Sequence, residues 1–134
     1  MTALDTNILV RFLTQDDLVQ AEAVKAIVEN AQNAGERLFV SLVVLCELCW
    51  VLSYSYDRSK DDLLAALDSL LLSPVFEIEH LSLVTTAVRQ YRSGRAGFAD
   101  YLIGEVAFAA GCVEVVTFDR KLKGSPGYRV LRPR

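Results

Sequence analysis

Histidine is almost missing from this chain: one, His80, in 134 residues, beside three cysteines and three prolines. Zinc sites draw on imidazole and thiolate ligands, so a zinc enzyme is a poor reading, and His80, at a strand–helix junction, reads as structural. Three cysteines cannot all pair. Cys46 and Cys49 make a C-x-x-C, but redox motifs of that kind sit at a helix N-terminus beside turn residues, not inside LVVLCELCWVL. A structural zinc would need two more ligands, and only Cys112 and His80 remain. The cysteines therefore read as small apolar side chains. Long apolar runs are lacking too. Residues 38–52 come nearest, and Ser41 and Glu47 interrupt them, so no membrane span is expected. The N-terminal MTALDTNILV has no basic segment and carries Asp5, which makes a poor signal peptide and leaves the cytoplasm as the expected location. There is no repeat, low-complexity tract or Pro/Gly-rich linker, so residues 1–134 read as a single domain.

Charge is present but unevenly placed. The net of −3 hides two halves: residues 1–88 hold five Lys or Arg against thirteen Asp or Glu, and residues 89–134 hold nine against four. The basic last third suggests a polyanion-binding edge, while the acidic whole argues against a simple electrostatic DNA binder.

Turn and cap signals divide the chain clearly. TALD reads as a short strand, and DTN caps a helix through ILVRFLT. Asp16 and Asp17 cap a second helix that stops at Gly35. LFVS is a strand and Ser41 the cap of the helix that contains Glu47. Lys60 to Leu72 has helical spacing, VFEIE alternates as a strand, and residues 81–91 and 98–110 form two more helices, the second closed by Gly111. VEVVTF is a strand, DRKLKGSPG a basic turn and YRVL a last strand. Strands alternating with helices predict an α/β fold with a central, mainly parallel sheet and helices on both faces. In such sheets ligands gather at the carboxyl ends of strands, where Asp5 and Asp119 stand.

Glu47 raises the sharpest question. If residues 42–52 are helical, its neighbours three and four positions away are Val43, Val44, Trp50 and Val51, all apolar. A carboxylate buried on such a face must be protonated, paired with a cation or bound to a metal. Asp5 and Asp119 follow strands and also read as caps, and Asp100 lies in the first turn of the apolar helix GFADYLIGEVAFAAG, where the helix dipole favours it. Should the four converge, their mutual repulsion calls for a hard divalent cation, Mg²⁺ or Mn²⁺, which prefers oxygen ligands.

Four motifs in order, LDTNIL, SLVVLCEL, FADYLI and VTFDRKL, give a resemblance to the PIN-domain nucleases, particularly the small ribonuclease toxins of VapBC-type toxin–antitoxin pairs. The resemblance covers nearly the whole chain and implies a PIN-like sandwich. It implies an acidic, metal-binding catalytic site at Asp5, Glu47, Asp100 and Asp119, with Asn7, Thr117 and Thr6 in support. Many relatives carry a further acid three residues before the helix aspartate, where this chain has Gly97, which bears on whether one metal or two are held. The implied activity is metal-dependent hydrolysis of RNA, and the implied partners are an antitoxin and a second copy of the chain.

RNA would need basic flanks around such a site. Arg89, Arg92 and Arg95, interleaved with Tyr91, precede Asp100, and Arg120, Lys121 and Lys123 follow Asp119. Either cluster reads equally as a solvated surface. The helices at 16–34 and 59–72, with Trp50, Tyr54 and Tyr56, are candidates for dimer or antitoxin grooves, or for core. Two signalling and phosphatase alternatives fit poorly. A receiver domain needs an acidic pair after the first strand and an aspartate after the third, and a haloacid-dehalogenase-type phosphatase needs an aspartate where Asn7 stands. A non-catalytic RNA-binding or scaffolding PIN domain stays open.

Overall fold

In the computed structural model, which describes residues 1–133, contacts group the chain into two compact units, Met1–Leu81 and Ser82–Arg134. The charge split falls on this boundary, because residues 82–88 carry no charge.

In the first unit, β1 (Thr2–Ala3), β2 (Leu38–Val40) and β3 (Phe76–Ile78) form a parallel sheet in that order. Ala3 lies opposite Phe39 and Val40 opposite Ile78, so the three strands end at a common edge. Strands this short follow from the sequence: β1 runs straight into the cap Asp5, and β2 into the cap Ser41. Asp5 Oδ1 accepts from the Thr6 N–H at 2.7 Å and opens α1 (Thr6–Thr14). Ser41 Oγ accepts from the Val44 N–H at 3.2 Å and opens α3 (Leu42–Tyr54). Between them, α2 (Leu18–Ala34) starts at Asp17 and stops at Gly35, whose φ of +66° suits a residue without a Cβ. A reciprocal Ser59–Asp62 capping box starts α4 (Lys60–Leu72). α1 packs on α2 and α3, α3 on α4, and α4 on β3. Leu9, Val40, Leu45, Leu48, Leu67 and Leu70 are essentially inaccessible and make the core.

The second unit contains α5 (Leu81–Ser93), which begins at the boundary, α6 (Phe98–Ala109) and a parallel pair, β4 (Val115–Thr117) and β5 (Tyr128–Val130). A 3₁₀ turn, Arg120–Leu122, lies on the connection between the two strands. Val84, Ala87, Val88, Tyr91, Phe98 and Leu102 are buried, and the Tyr91 and Phe98 rings meet edge to face at 6.4 Å. Every strand pairing is parallel, as the alternating pattern predicts, but the hydrogen bonds form two separate ladders rather than one central sheet. Periodicity locates strands and says nothing about which ladder each one joins. Among the described residues, no helix is long and apolar enough to cross a membrane.

Candidate functional site

The sequence-based reading of Glu47 needs correction. Val43 is 67 % exposed and Trp50 62 %, and Glu47 itself is exposed. The buried face of α3 is Val44, Leu45, Leu48 and Leu52. Because α3 is apolar almost all round, apolar neighbours do not signal burial there, and the desolvation argument for a bound cation at Glu47 falls away. What marks Glu47 is its contact. The Thr6 hydroxyl donates to Glu47 Oε1 at 3.2 Å, and the Thr6 backbone N–H donates to Asp5 Oδ1 at 2.7 Å. Thr6 is thus bonded to both carboxylates, and it is the buried polar side chain of its unit.

The backbone explains this placement. β1 and β2 pair in parallel register, so the helices that leave them start from the same sheet edge, and α1 packs on α3. Glu79, which follows β3, accepts from the Leu42 N–H at 2.8 Å and fixes the first turn of α3. Asp5, Thr6, Asn7 and Glu47 share an open cleft of ≈ 480 Å³ with Arg11 and Tyr56. The cysteines of α3 take no part: burial pushes the Cys49 thiol up to about 12, with Cys46 adding to the rise, and burial raises Cys46 as well. Both are inert apolar fillers at neutral pH.

In the second unit, Asp100 is the third residue of α6, and its Oδ2 accepts from the Gly97 N–H at 2.9 Å. Gly97 has no side chain to return the bond, so this cap is one-sided. The Tyr128 hydroxyl donates to the Asp100 carbonyl at 2.7 Å and holds the first turn of α6. Burial pushes the Tyr128 phenol up to about 12, so it remains a donor throughout the physiological range. Asp119 Oδ1 accepts from the Lys121 N–H at 2.9 Å, and the Asp119 N–H donates to Thr117 Oγ1 at 3.0 Å. Thr117 therefore orients the backbone of Asp119.

Asp5, Asp100 and Asp119 are all caps, the plainest role an aspartate has. Each cap engages one oxygen of the carboxylate. A carboxylate has about four acceptor positions, so capping and metal ligation are compatible. Among the described residues, no three His, Cys, Asp or Glu are disposed as a metal-binding group. The donor chemistry in the first-unit cleft is nevertheless all oxygen, from Asp5, Glu47, Thr6 and Asn7. That set fits a hard cation and not a soft one.

Arg89, Arg92 and Arg95 are exposed at and beyond the end of α5, and Arg120, Lys121 and Lys123 are exposed around the 3₁₀ turn. Arg120, Lys123 and Arg132 line a basic cleft of ≈ 620 Å³, where Arg129 is instead held by Glu114 at 2.9 Å. Tyr91 does not belong with its arginine neighbours. Its side chain is buried against Phe98, because α5 turns that position inward, and it offers no ring to a base. Trp50 and Tyr54 are exposed and their rings lie 5.3 Å apart, whereas Tyr56 is half-buried and bonded to Arg11 and Asp16.

Three residues near the carboxylates, Arg11, Glu79 and Tyr128, escaped the sequence reading, and Tyr56 was read only as a groove or core residue. Arg11 lies four positions after Asn7, and helical spacing would have flagged it. Tyr56, Glu79 and Tyr128 act across 45, 37 and 28 residues of sequence and carry no local signal. Tyr128 also packs against Gly104, and a Cβ at that position would run into its hydroxyl and ring. Helix propensity alone predicts that Gly104→Ala stabilises α6 by about 1 kcal/mol. We expect the opposite, a loss of about 1–2 kcal/mol by thermal melting, because the phenol must leave the Asp100 carbonyl.

Comparison with known proteins adds two findings. The PIN domain family profile matches residues 2–125 of the chain. A VapC ribonuclease of Aquifex aeolicus (strain VF5) is 29 % identical over 133 residues, covering 99 % of this chain and 97 % of the relative.

Proposed function

From the premise that this chain belongs to the PIN domain family, we propose that it is a metal-dependent endoribonuclease and the toxin of a type II toxin–antitoxin pair. The observation that carries the reading is the pairing of Asp5 and Glu47 through Thr6 at the sheet edge. The similarity to a VapC ribonuclease over nearly the full length of both chains supports RNA as the substrate.

In this reading Asp5, Asp100 and Asp119 hold Mg²⁺ or Mn²⁺, and Glu47 is either a further ligand or the group that orients the attacking water. When bound, the ion supplies a water of lowered pKa and neutralises charge on the phosphodiester. The protein does the positioning. Thr6 fixes the two first-unit carboxylates, Asn7 lines their cleft, Thr117 sets the backbone of Asp119, and Tyr128 steadies the turn that bears Asp100. Arg89, Arg92, Arg95, Arg120 and Lys121 take RNA phosphates, consistent with their exposure and with the basic excess of the second unit. The exposed stripe of Val43, Trp50 and Tyr54 is suited to a protein partner, an antitoxin or a second copy of the chain. The setting is the cytoplasm, where RNA substrates are.

One observation favours a second reading. Three of the four acids already have capping roles that need no metal, as in a PIN domain that binds RNA without cutting it. Incubating the purified protein with a pool of structured RNAs separates the two. Cleavage in Mg²⁺ or Mn²⁺ that stops with EDTA is the expected result. RNA retained intact in every metal, though bound, would leave the non-catalytic reading.

A further inference from the structure

Arg11 stands out once the cleft is drawn. It lines the same cleft as Asp5, Thr6 and Glu47, yet it is a cation, and the first unit is otherwise strongly acidic. Its guanidinium is held on two sides. Nε donates to Gln20 Oε1 at 2.6 Å, and Nη1 donates to Asp16 Oδ1 at 3.0 Å and to the Tyr56 hydroxyl at 2.9 Å. The clamp is itself braced, since the Tyr56 hydroxyl donates to Asp16 Oδ2 at 2.8 Å and the Thr14 hydroxyl to Asp16 Oδ1 at 3.0 Å.

These bonds use the single N–H of Nε and both of Nη1. Among the described residues, no acceptor bonds the two donors of Nη2. A side chain whose task was only to tie α1 to the start of α2 and to the loop after α3 would have no need to line the cleft that holds Asp5 and Glu47. Arginine is suited to phosphate because its planar fork offers paired donors in a fixed geometry. Immobilising the fork in advance removes the ordering entropy that a free surface arginine loses on binding.

Building on the ribonuclease reading, we propose that Arg11 is an RNA-phosphate contact, presenting Nη2 to a phosphate beside the scissile one, with Asp16, Tyr56 and Gln20 holding the guanidinium in place. An acidic cleft repels a polyanion, and a fixed guanidinium within it selects where along the strand a phosphate settles. Asp16 offsets the charge at a distance but not the directed donors of Nη2.

Two measurements test this. The first is steady-state cleavage of a single-stranded RNA in Mg²⁺. Arg11→Gln is expected to raise KM about tenfold with kcat changed less than about threefold, as for a contact made equally in ground and transition states. The second is RNA binding against KCl concentration in the Asp119→Asn background. Arg11→Gln should make the slope of log K against log salt shallower by about 0.7, the value for one phosphate contact on a single strand. Arg11→Lys should keep the slope and raise KM a few-fold, because the charge stays and the fork is lost. Tyr56→Phe should do the same by loosening the clamp. A merely structural Arg11 would lower the melting temperature and leave KM and slope alone, which overturns the proposal. If Arg11→Gln does not fold, unchanged KM in both Arg11→Lys and Tyr56→Phe overturns it equally. If the wild type cuts no RNA, the ribonuclease reading fails but the slope still decides: a shallower slope in Arg11→Gln keeps the phosphate contact, and an unchanged slope or no RNA binding removes it.

Discussion

Asp5→Asn is expected to reduce RNA cleavage at least about 100-fold while moving the melting temperature by no more than about 2 °C. The separation of the two effects follows from the cap. Asp5 holds the start of α1 through one oxygen, which accepts from the Thr6 N–H. Asparagine presents the same acceptor and ranks with aspartate as an N-cap, so the helix survives the change. What disappears is the negative charge and, on the proposed metal-dependent reading, one hard oxygen ligand, with about 2.7 kcal/mol of barrier for each 100-fold in rate. Activity in matched metal, with circular dichroism and thermal melting as controls, checks the prediction. A variant that melted far earlier would show that the carboxylate serves the fold. Retention of full activity would remove Asp5 from the site.

Leu48→Ala is expected to lower stability by about 2–5 kcal/mol, the range for a leucine truncated in a packed core. Leu48 is wholly inaccessible on α3, the helix on which α1 and α4 both pack. The informative comparison is Trp50→Ala, two residues away in the same apolar stretch. Trp50 is 62 % exposed and its ring lies against Tyr54. Its loss should change stability by less than about 1 kcal/mol, although the side chain removed is larger. Urea or thermal unfolding of the two variants decides it. If the order of effects were reversed, the packing of α3 described above would be wrong.

That pair also shows where the sequence was legible. Helix starts were easy to read where Asp5, Asp17 and Ser41 are caps with local chemistry, and Gly35 ends α2 with the positive φ that glycine tolerates. Parallel α/β order was legible because strands alternate with helices along the chain. Inside LVVLCELCWVL the pattern failed, because a helix apolar on every side carries no record of which side is buried. Glu47 was picked out by an argument that its exposure removes, and what now distinguishes it is the bond from Thr6, 41 residues away. Tyr91 failed in the opposite direction: arginines on both sides suggested a surface ring, and α5 turns it inward. Tyr56 and Glu79 gain their roles through pairings between distant segments, which no local window contains, whereas Arg11 was within reach of helical spacing from Asn7.

The central claim is that these aspartates are metal ligands as well as caps. The most direct measurement is Mn²⁺ binding, by calorimetry or by the electron paramagnetic resonance of the free ion, to the wild type, Asp5→Asn and Asp119→Asn. The account predicts that the wild type binds Mn²⁺ and that each substitution alone weakens binding by about tenfold or more, with the fold intact. Mn²⁺ affinity unchanged in both variants would contradict it and leave the aspartates as helix caps alone.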